Sequence, residues 1–280
     1  MAPIFFLLQT FLLALGAGAF GALLGLGGGV ILVPLLTLWL GVDIHYAIGA
    51  SILAVIATSS GSAAAFLRDG IANLRVAMYL ETGSAAGAIL GAVLAGYFNN
   101  SILFIFFSAV LFNSAFLIYR RRDMDPAQPT QEGPLARYLN LSSAYHDSRL
   151  NRLITYKVRG ARYGLPIMFV VGIISGLLGI GSGVLNVLAL ELAMKLPFKA
   201  ATATSNLMLG VTAAASAGVY LARGDAHPFV AAPVALGVLV GSRLGAAWVT
   251  RADTRRLRGV FIAVLILIGA QMLARGLGIF

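Results

Sequence analysis

Two kinds of residue are scarce in this chain of 280 residues: cysteine is absent, and charged residues make up only 11%. The absence of cysteine excludes disulfides, thiolate catalysis and iron–sulfur ligation. Soluble domains carry about a quarter charged residues, so the low charge excludes an ordinary soluble protein. Hydrophobic residues reach 59%, and apart from Asp43 no charged residue precedes Arg68. Because about 20 apolar residues span a bilayer, this composition predicts an all-α polytopic integral membrane protein.

The few charges are unevenly distributed. The net charge is +10, and nine of the twenty basic residues lie between Arg120 and Arg162. Basic loops beside membrane spans stay on the cytoplasmic side and can touch anionic lipid. We therefore predict a basic cytoplasmic loop over 120–162, with the lipid bilayer as a partner and no nucleic acid. The first residues lack the basic segment and cleavage site of a secretory signal, so we expect them to form a retained membrane segment.

Enzymatic chemistry has little support in the sequence. His45, His146 and His227 are far apart and form no His/Glu or Ser/His motif, and no P-loop sequence is present. We expect no enzyme activity, no catalytic residues, no metal and no cofactor.

One glycine motif occurs twice. Residues 22–30 read Ala-Leu-Leu-Gly-Leu-Gly-Gly-Gly-Val, and 154 positions later residues 176–184 read Gly-Leu-Leu-Gly-Ile-Gly-Ser-Gly-Val. Self-similarity at a fixed spacing predicts two homologous halves, 1–119 and 163–280, joined by the 120–162 loop. The same spacing aligns further pairs without a gap: Ser51 with Ser205, Thr58 with Thr212, Gly70 with Gly224, Gly83 with Gly237, Gly87 with Gly241, and Gly91 with Gly245.

Each half is predicted to contain a glycine-broken apolar segment followed by three transmembrane helices. The broken segments are 3–40 and 163–194. A continuous helix over 163–194 would be about 48 Å long, too long for one crossing of a ~30 Å core and too short for two. We therefore predict a re-entrant or hairpin segment that bends at the glycines. The other predicted spans are 47–67, 76–97 and 102–119 in the first half, and 200–221, 229–249 and 257–279 in the second.

The basic residues favour the hairpin. If both broken segments are hairpins, seventeen basic residues lie on the side of the 120–162 loop and two on the other side. If each segment crosses once, the counts are thirteen and six. Arg243 is left out of both counts because it lies within a span. Both termini then lie outside the cytoplasm, and the halves cross the membrane in opposite directions. Such inverted repeats are a recurrent plan of secondary transporters, which bind substrate near the midplane and alternate access between the two sides.

The glycine breaks are the first candidate site. A helix that begins just after a break directs unpaired N–H groups and a positive dipole end at the site, which favours an anion. The alternative is that the glycines only allow helices to pack closely. The candidate substrate-binding residues at the breaks are Gly27, Gly28, Gly29, Gly181, Ser182 and Gly183.

Small polar side chains open the span after each break. Hydroxyls and amides can hold an oxyanion without a permanent countercharge, so that release stays possible. The alternative is that they form hydrogen bonds between helices or to the backbone. The candidates are Ser51 and Thr58 in the first half, beside Ser59 and Ser60, and Thr204, Ser205 and Asn206 in the second half, beside Thr202.

Ionisable residues inside spans are costly enough to indicate function. Arg243 is a candidate for attracting the substrate, or it snorkels to the interface. Glu81 is a candidate for coupling transport to a proton or another ion, or it pairs with a basic residue such as Arg75. Glu191 and Lys195 have the spacing of a pair on one helix face.

Three motifs resemble the sulfite exporter TauE/SafE family. They are Gly-Leu-Gly-Gly-Gly-Val-Ile-Leu-Val-Pro at 25–34, Ala-Ile-Gly-Ala-Ser at 47–51, and Ala-Thr-Ala-Thr-Ser-Asn at 201–206. The resemblance covers nearly the whole chain and implies a transporter of the bacterial inner membrane that exports sulfite or an organosulfonate such as sulfoacetate. The second break departs from the first, with Ser182 at the position of Gly28 and Leu188 at that of Pro34.

The sequence is also compatible with two other functions. One is a channel or importer for another small anion, and the other is a membrane scaffold without transport. The paired breaks argue against a scaffold, which has no need to interrupt two helices inside the membrane. Assembly into a homo-oligomer also remains open.

Overall fold

The computed structural model describes residues 3–24, 28–120, 131–147, 152–181, 183–249 and 254–279. The first half contains α1 (Pro3–Leu24), α2 (Gly29–Leu38), α3 (Ile44–Arg68), α4 (Leu74–Ala95) and α5 (Asn100–Arg120). The segment between the halves contains α6 (Pro134–Tyr138), β1 (Ser143–Asp147) and β2 (Arg152–Tyr156). The second half contains α7 (Ala161–Leu178), α8 (Gly183–Leu192), α9 (Phe198–Ala222), α10 (Pro228–Val249) and α11 (Thr254–Gly276).

The fold class predicted from the sequence is confirmed: the chain is a polytopic, mostly helical membrane protein. Each of the six predicted ordinary spans corresponds to one helix, with ends that agree to within three residues. Within the described residues, α1, α4, α5, α7 and α9 are long and apolar enough to cross a membrane. Both glycine-rich segments are broken where the sequence indicated, α1 from α2 and α7 from α8.

Each broken pair folds back on itself. Gly28 has a φ of +74° and lies beside Ala17 and Gly18, so that α2 begins next to the body of α1. Gly160, just before α7, lies against the Ala193 carbonyl that follows α8. At 1.5 Å per residue α2 and α8 are each about 15 Å long, so each reaches only about half-way through a bilayer core.

Helices of different halves pack through glycine seams. A Cβ on Gly87 of α4 would lie 2.1 Å from the Phe169 carbonyl oxygen of α7, and one on Gly241 of α10 would lie 2.0 Å from the Leu15 carbonyl oxygen of α1. Gly241 lies 154 positions after Gly87, and Leu15 lies 154 positions before Phe169. The α4–α7 and α1–α10 contacts are therefore the same contact with the halves exchanged.

The described parts of the 120–162 loop fold into a small cap, residues 131–147 and 152–160. Its two strands are antiparallel, with Ser143 opposite Tyr156. Buried Tyr145, Tyr156 and Leu141 of the cap belong to the same hydrophobic cluster as Leu80 and Leu190 of the helical domain. The sequence did not predict this cap, because elements of five residues are too short to show a periodic pattern. Residues 121–130 and 148–151 lie outside the described residues.

Asn73 joins the cap to the helices. Its Oδ1 accepts from the Val76 N–H and caps α4, while its Nδ2 donates to the Leu141 carbonyl at 2.7 Å and to the Tyr156 hydroxyl at 2.9 Å. Its backbone N–H donates to Thr204 Oγ1 of α9 at 3.0 Å. The side chain and the backbone N–H of Asn73 thus hold α4, α9 and the cap together.

The two ends of the chain lie at the end of the bundle opposite the cap. Phe6 of α1 stacks on Phe229, which begins α10, with ring centroids 5.9 Å apart. At the other terminus Gly276 lies beside Ile105 near the start of α5, and Arg275 donates to the Thr37 carbonyl. The cap contacts the start of α4 instead, where Arg75 donates to the Asn140 carbonyl at 2.9 Å.

Substitution of Gly87 by Ala is expected to destabilise the protein by about 1–3 kcal/mol, because a methyl group there would collide with the Phe169 backbone. Gly218→Ala in α9 is the matched control. A Cβ at Gly218 would have no atom within 4 Å, so alanine should be neutral or stabilising by up to about 1 kcal/mol. Thermal unfolding of the two variants in detergent compares them, and equal stability would contradict the glycine seam.

Candidate functional site

The two glycine breaks meet in the interior of the bundle. A Cβ on Gly29, the first residue of α2, would lie 3.1 Å from the carbonyl oxygens of both Gly179 and Ile180 in the other half. It would also lie 2.8 Å from the hydroxyl of Ser51 in α3. Only glycine at position 29 lets these backbones approach so closely. The packing of α2 and the geometry of the candidate site therefore both depend on Gly29.

Neighbouring helices supply hydrogen bonds to the backbone freed at the end of α7. The last carbonyls of a helix have no partner within it, and lipid offers none. The Tyr220 hydroxyl of α9 donates to the Gly176 carbonyl at 2.8 Å. The Ser51 hydroxyl of α3 donates to the Gly179 carbonyl at 2.8 Å. The broken helix is therefore stabilised by side chains of both halves.

The second predicted serine also bonds a break. Ser205 of α9 donates to the Gly183 carbonyl at the start of α8, at 3.3 Å. Gly181 has a φ of +68°, and a Cβ there would lie 2.8 Å from Val55 of α3. Ser51 and Ser205 are both fully buried. Their protons are committed to carbonyls in this conformation, so direct contact with an anion requires one hydrogen bond to be exchanged for another.

The remaining predicted polar residues are distributed around the junction. Thr58 donates to the Ala54 and Val55 carbonyls of its own helix. Asn206 donates through Nδ2 to the Thr202 carbonyl at 2.9 Å. Thr204 faces α4 and not the break, since its hydroxyl oxygen accepts from Asn73. Gly27 and Ser182 lie outside the described residues.

Glu81 belongs to a polar network between α4 and α9. Its Oε1 accepts from the Thr212 hydroxyl at 2.8 Å, and that hydroxyl is also 2.8 Å from Ser84 Oγ. Among the described residues, the buried Oε2 has no hydrogen-bond partner. The predicted partner Arg75 is engaged by the cap through Asn140.

Two other charged residues lie away from the junction. Arg243 is exposed on α10, so the structure does not enclose it with Ser51 and Ser205. Glu191 is buried near the end of α8. The predicted spacing of Glu191 and Lys195 on one helix face is wrong, because α8 ends at Leu192 and Lys195 has a left-handed backbone with φ +61°.

A cavity of about 780 Å³ lies at the end opposite the cap, between α3, α4 and α9. Its lining includes Arg223, which donates to the Ala92 carbonyl and pairs with Asp225. His45 also lines it and contacts Asp43. Burial favours the neutral acid at Asp43, but hydrogen bonds from His45 and Asn100 outweigh it and lower its pKa. The charge of Arg223 in this cavity is therefore compensated by Asp225.

Sequence reasoning missed Asn186. It lies one turn into α8, is fully buried, and neither polar atom of its side chain has a partner within the described part of the chain. The signal was present in the sequence: Asn186 is the single polar residue among 183–190.

A bundle of apolar helices in which two broken helices meet at a buried point is typical of membrane transporters. The chain belongs to the sulfite exporter TauE/SafE family, whose family model matches residues 10–272. It is a membrane transporter of this family, and the resemblance of the glycine and serine motifs is confirmed.

Several curated proteins are similar over most of their length. A probable membrane transporter protein of Bacillus subtilis (strain 168), YunE, is 28% identical over 95% of this chain and 96% of its own. A second from the same organism, YdhB, is 26% identical over 86% of this chain and 87% of its own. A probable membrane transporter protein of Xylella fastidiosa (strain 9a5c) is 25% identical over 96% and 97%. A comparison with the solved structures gave no significant match.

Ser51→Ala is expected to destabilise the protein by about 1–2 kcal/mol, because it removes the buried donor to the Gly179 carbonyl. Ser60→Ala is the control in the same helix. Ser60 is exposed and bonds the Ile56 carbonyl of its own helix, so its loss should cost less than about 0.5 kcal/mol. Thermal unfolding compares the two variants, and an equal effect would show that the Ser51 bond does not hold the break.

Proposed function

We propose that this protein is a secondary transporter that exports a small anion, sulfite or an organosulfonate such as sulfoacetate, across the bacterial inner membrane. The substrate binds near the midplane, at the junction of the two glycine breaks. The proposed ligands are Gly27, Gly28, Gly29, Ser51 and Thr58 from the first half and Gly181, Ser182, Gly183, Ser205 and Asn206 from the second, with Arg243 attracting the anion. Thr204 is left out because its hydroxyl bonds Asn73 and does not face the break.

The observation that carries this proposal is the approach of Gly29 to Gly179 and Ile180. It brings the start of α2 against the segment that joins α7 to α8. The dipoles of both short helices then direct their positive ends towards the junction, which stabilises a negative charge there. Helix ends and neutral side chains bind an anion without a permanent cation, so release remains possible.

Alternating access between two inverted repeats is the proposed mechanism. In its support, α1 and α10 run in the same direction, and so do α4 and α7, through contacts that exchange the halves. Movement of one half against the other would open the junction to either side in turn. The full burial of Ser51 and Ser205 favours this mechanism over an open channel.

Glu81 is the proposed coupling residue. Its carboxylate has one oxygen bonded to Thr212 and one buried oxygen without a partner in the described structure. A carboxylate placed this way inside a span can take up and release a proton during the transport cycle. Since Thr212 belongs to α9, protonation of Glu81 would change a contact between the two halves.

Uptake into proteoliposomes tests this mechanism. Liposomes preloaded with unlabelled sulfoacetate should accumulate labelled sulfoacetate by counterflow. Glu81→Gln should retain counterflow and lose accumulation driven by a pH gradient, because glutamine keeps the shape but cannot carry the proton. Thr82→Val is the control and should keep gradient-driven transport, because Thr82 is exposed beside Glu81 on α4 and bonds the Tyr79 carbonyl of its own helix.

The outcomes separate the alternatives. Equilibration without counterflow would indicate a channel, and no flux of sulfite, sulfoacetate or acetate would favour a scaffold. Gradient-driven accumulation by Glu81→Gln at the wild-type level would remove Glu81 from the coupling mechanism.

The proposed orientation places the cap in the cytoplasm and both termini outside. The cap contacts the ends of helices near Arg75 and Lys195, where the basic residues concentrate, and the termini lie at the other end. Basic residues are retained on the cytoplasmic side during insertion.

Labelling of single cysteines tests the orientation, since the natural chain has none. Tyr97 and Tyr138 are 83% and 85% exposed and lie at opposite ends of the bundle. A membrane-impermeant maleimide should label Tyr97→Cys in intact spheroplasts, and Tyr138→Cys only after lysis. The reverse pattern would overturn the orientation and the side of the membrane assigned to the cap.

A further inference from the structure

Asn186 is a buried side chain without an assigned role. Its exposure is 0%, and both Nδ2 and Oδ1 lack hydrogen-bond partners within the described residues. An amide enclosed in this way without partners destabilises the protein unless something else bonds it. Asn73, a buried asparagine at the start of α4, shows the contrast, since its Oδ1 and Nδ2 are both bonded.

The packing of α8 places this amide beside the glycine break. Asn186 lies in the first turn of α8, whose first residue, Gly183, contacts Ser205 of α9. The two helices are consecutive and run in opposite directions, so three residues further along α8 correspond to three residues back along α9. Asn186 therefore lies at the level of Thr202, whose Oγ1 is also buried without a partner in the described part of the chain.

The first half shows that the architecture does not require a polar residue at this position. The position 154 residues before Asn186 is Leu32, which is also fully buried and belongs to the main hydrophobic cluster. The broken-helix fold, which occurs in both halves, is therefore compatible with an aliphatic side chain at this position. The polarity of Asn186 belongs to the second half alone, and so needs an explanation other than the packing of a broken helix.

We infer that Asn186 and Thr202 form an oxyanion-recognition site at the start of α8, which contacts the oxygens of the transported anion. This inference rests on the proposed function and refines it. It places the contacts that select the substrate on α8 and α9, both in the second half. The amide supplies two N–H donors and the hydroxyl one, beside the positive end of the helix. These neutral donors favour a ligand with several acceptor oxygens close together, such as a sulfite or sulfonate group.

Binding of sulfite, sulfoacetate and acetate to the purified full-length protein tests the inference. Asn186→Leu reproduces the side chain of the first half and removes a buried amide that has no partner within the described residues, so the unliganded protein should unfold at the same or a higher temperature. Its affinity for sulfoacetate should fall at least tenfold. Thr202→Val, which keeps the shape of the side chain, should weaken binding in the same direction and provides a second test if Asn186→Leu does not fold.

Asn73→Leu is the matched control, because it removes a buried amide whose bonds are all made to protein. It should lower the unfolding temperature. Asn186→Leu would contradict the inference if its affinity for sulfoacetate stayed within twofold of the wild type, or if its unfolding temperature fell as far as that of Asn73→Leu. In either case the proposed function would stand. A wild-type protein that binds none of the three anions would overturn the proposed function and this inference together.

Discussion

Hydrogen bonding of the broken helices is the constraint on which this structure depends. A helix that ends inside a bilayer leaves carbonyls that lipid cannot bond, so protein must supply the donors. Tyr220 and Ser51 do so for the end of α7, one from each half of the chain. The breaks can exist only where α3 and α9 pass beside them, so the candidate site and the interface between the halves form together.

Close packing of glycines makes that interface possible. The seams of α4 with α7 and of α1 with α10 bring backbones into contact, as at Gly87 and Gly241. Because both seams join different halves, each half is incomplete by itself. The same seams are the surfaces on which one half would have to move against the other during transport, since small residues leave few interlocking side chains between the helices.

The two halves are similar in plan and different in chemistry. Leu32 and Asn186 occupy matching positions in α2 and α8, yet one joins the hydrophobic cluster and the other carries an amide without a partner among the described residues. Likewise Glu81 has an alanine, Ala235, at its matching position. The two halves therefore carry different polar groups at matching positions.

The sequence by itself determined the helices and their breaks, because apolar runs and glycines are local signals. It also identified Ser51 and Ser205, but not what they bond, since their partners Gly179 and Gly183 are 128 and 22 residues away. Only the tertiary structure decided that Thr204 faces Asn73 at the start of α4, that Arg243 is exposed, and that Asn186 is enclosed without partners among the described residues. Those outcomes depend on which face of a helix meets a distant neighbour, and in uniformly apolar helices the sequence carries little periodicity to predict it.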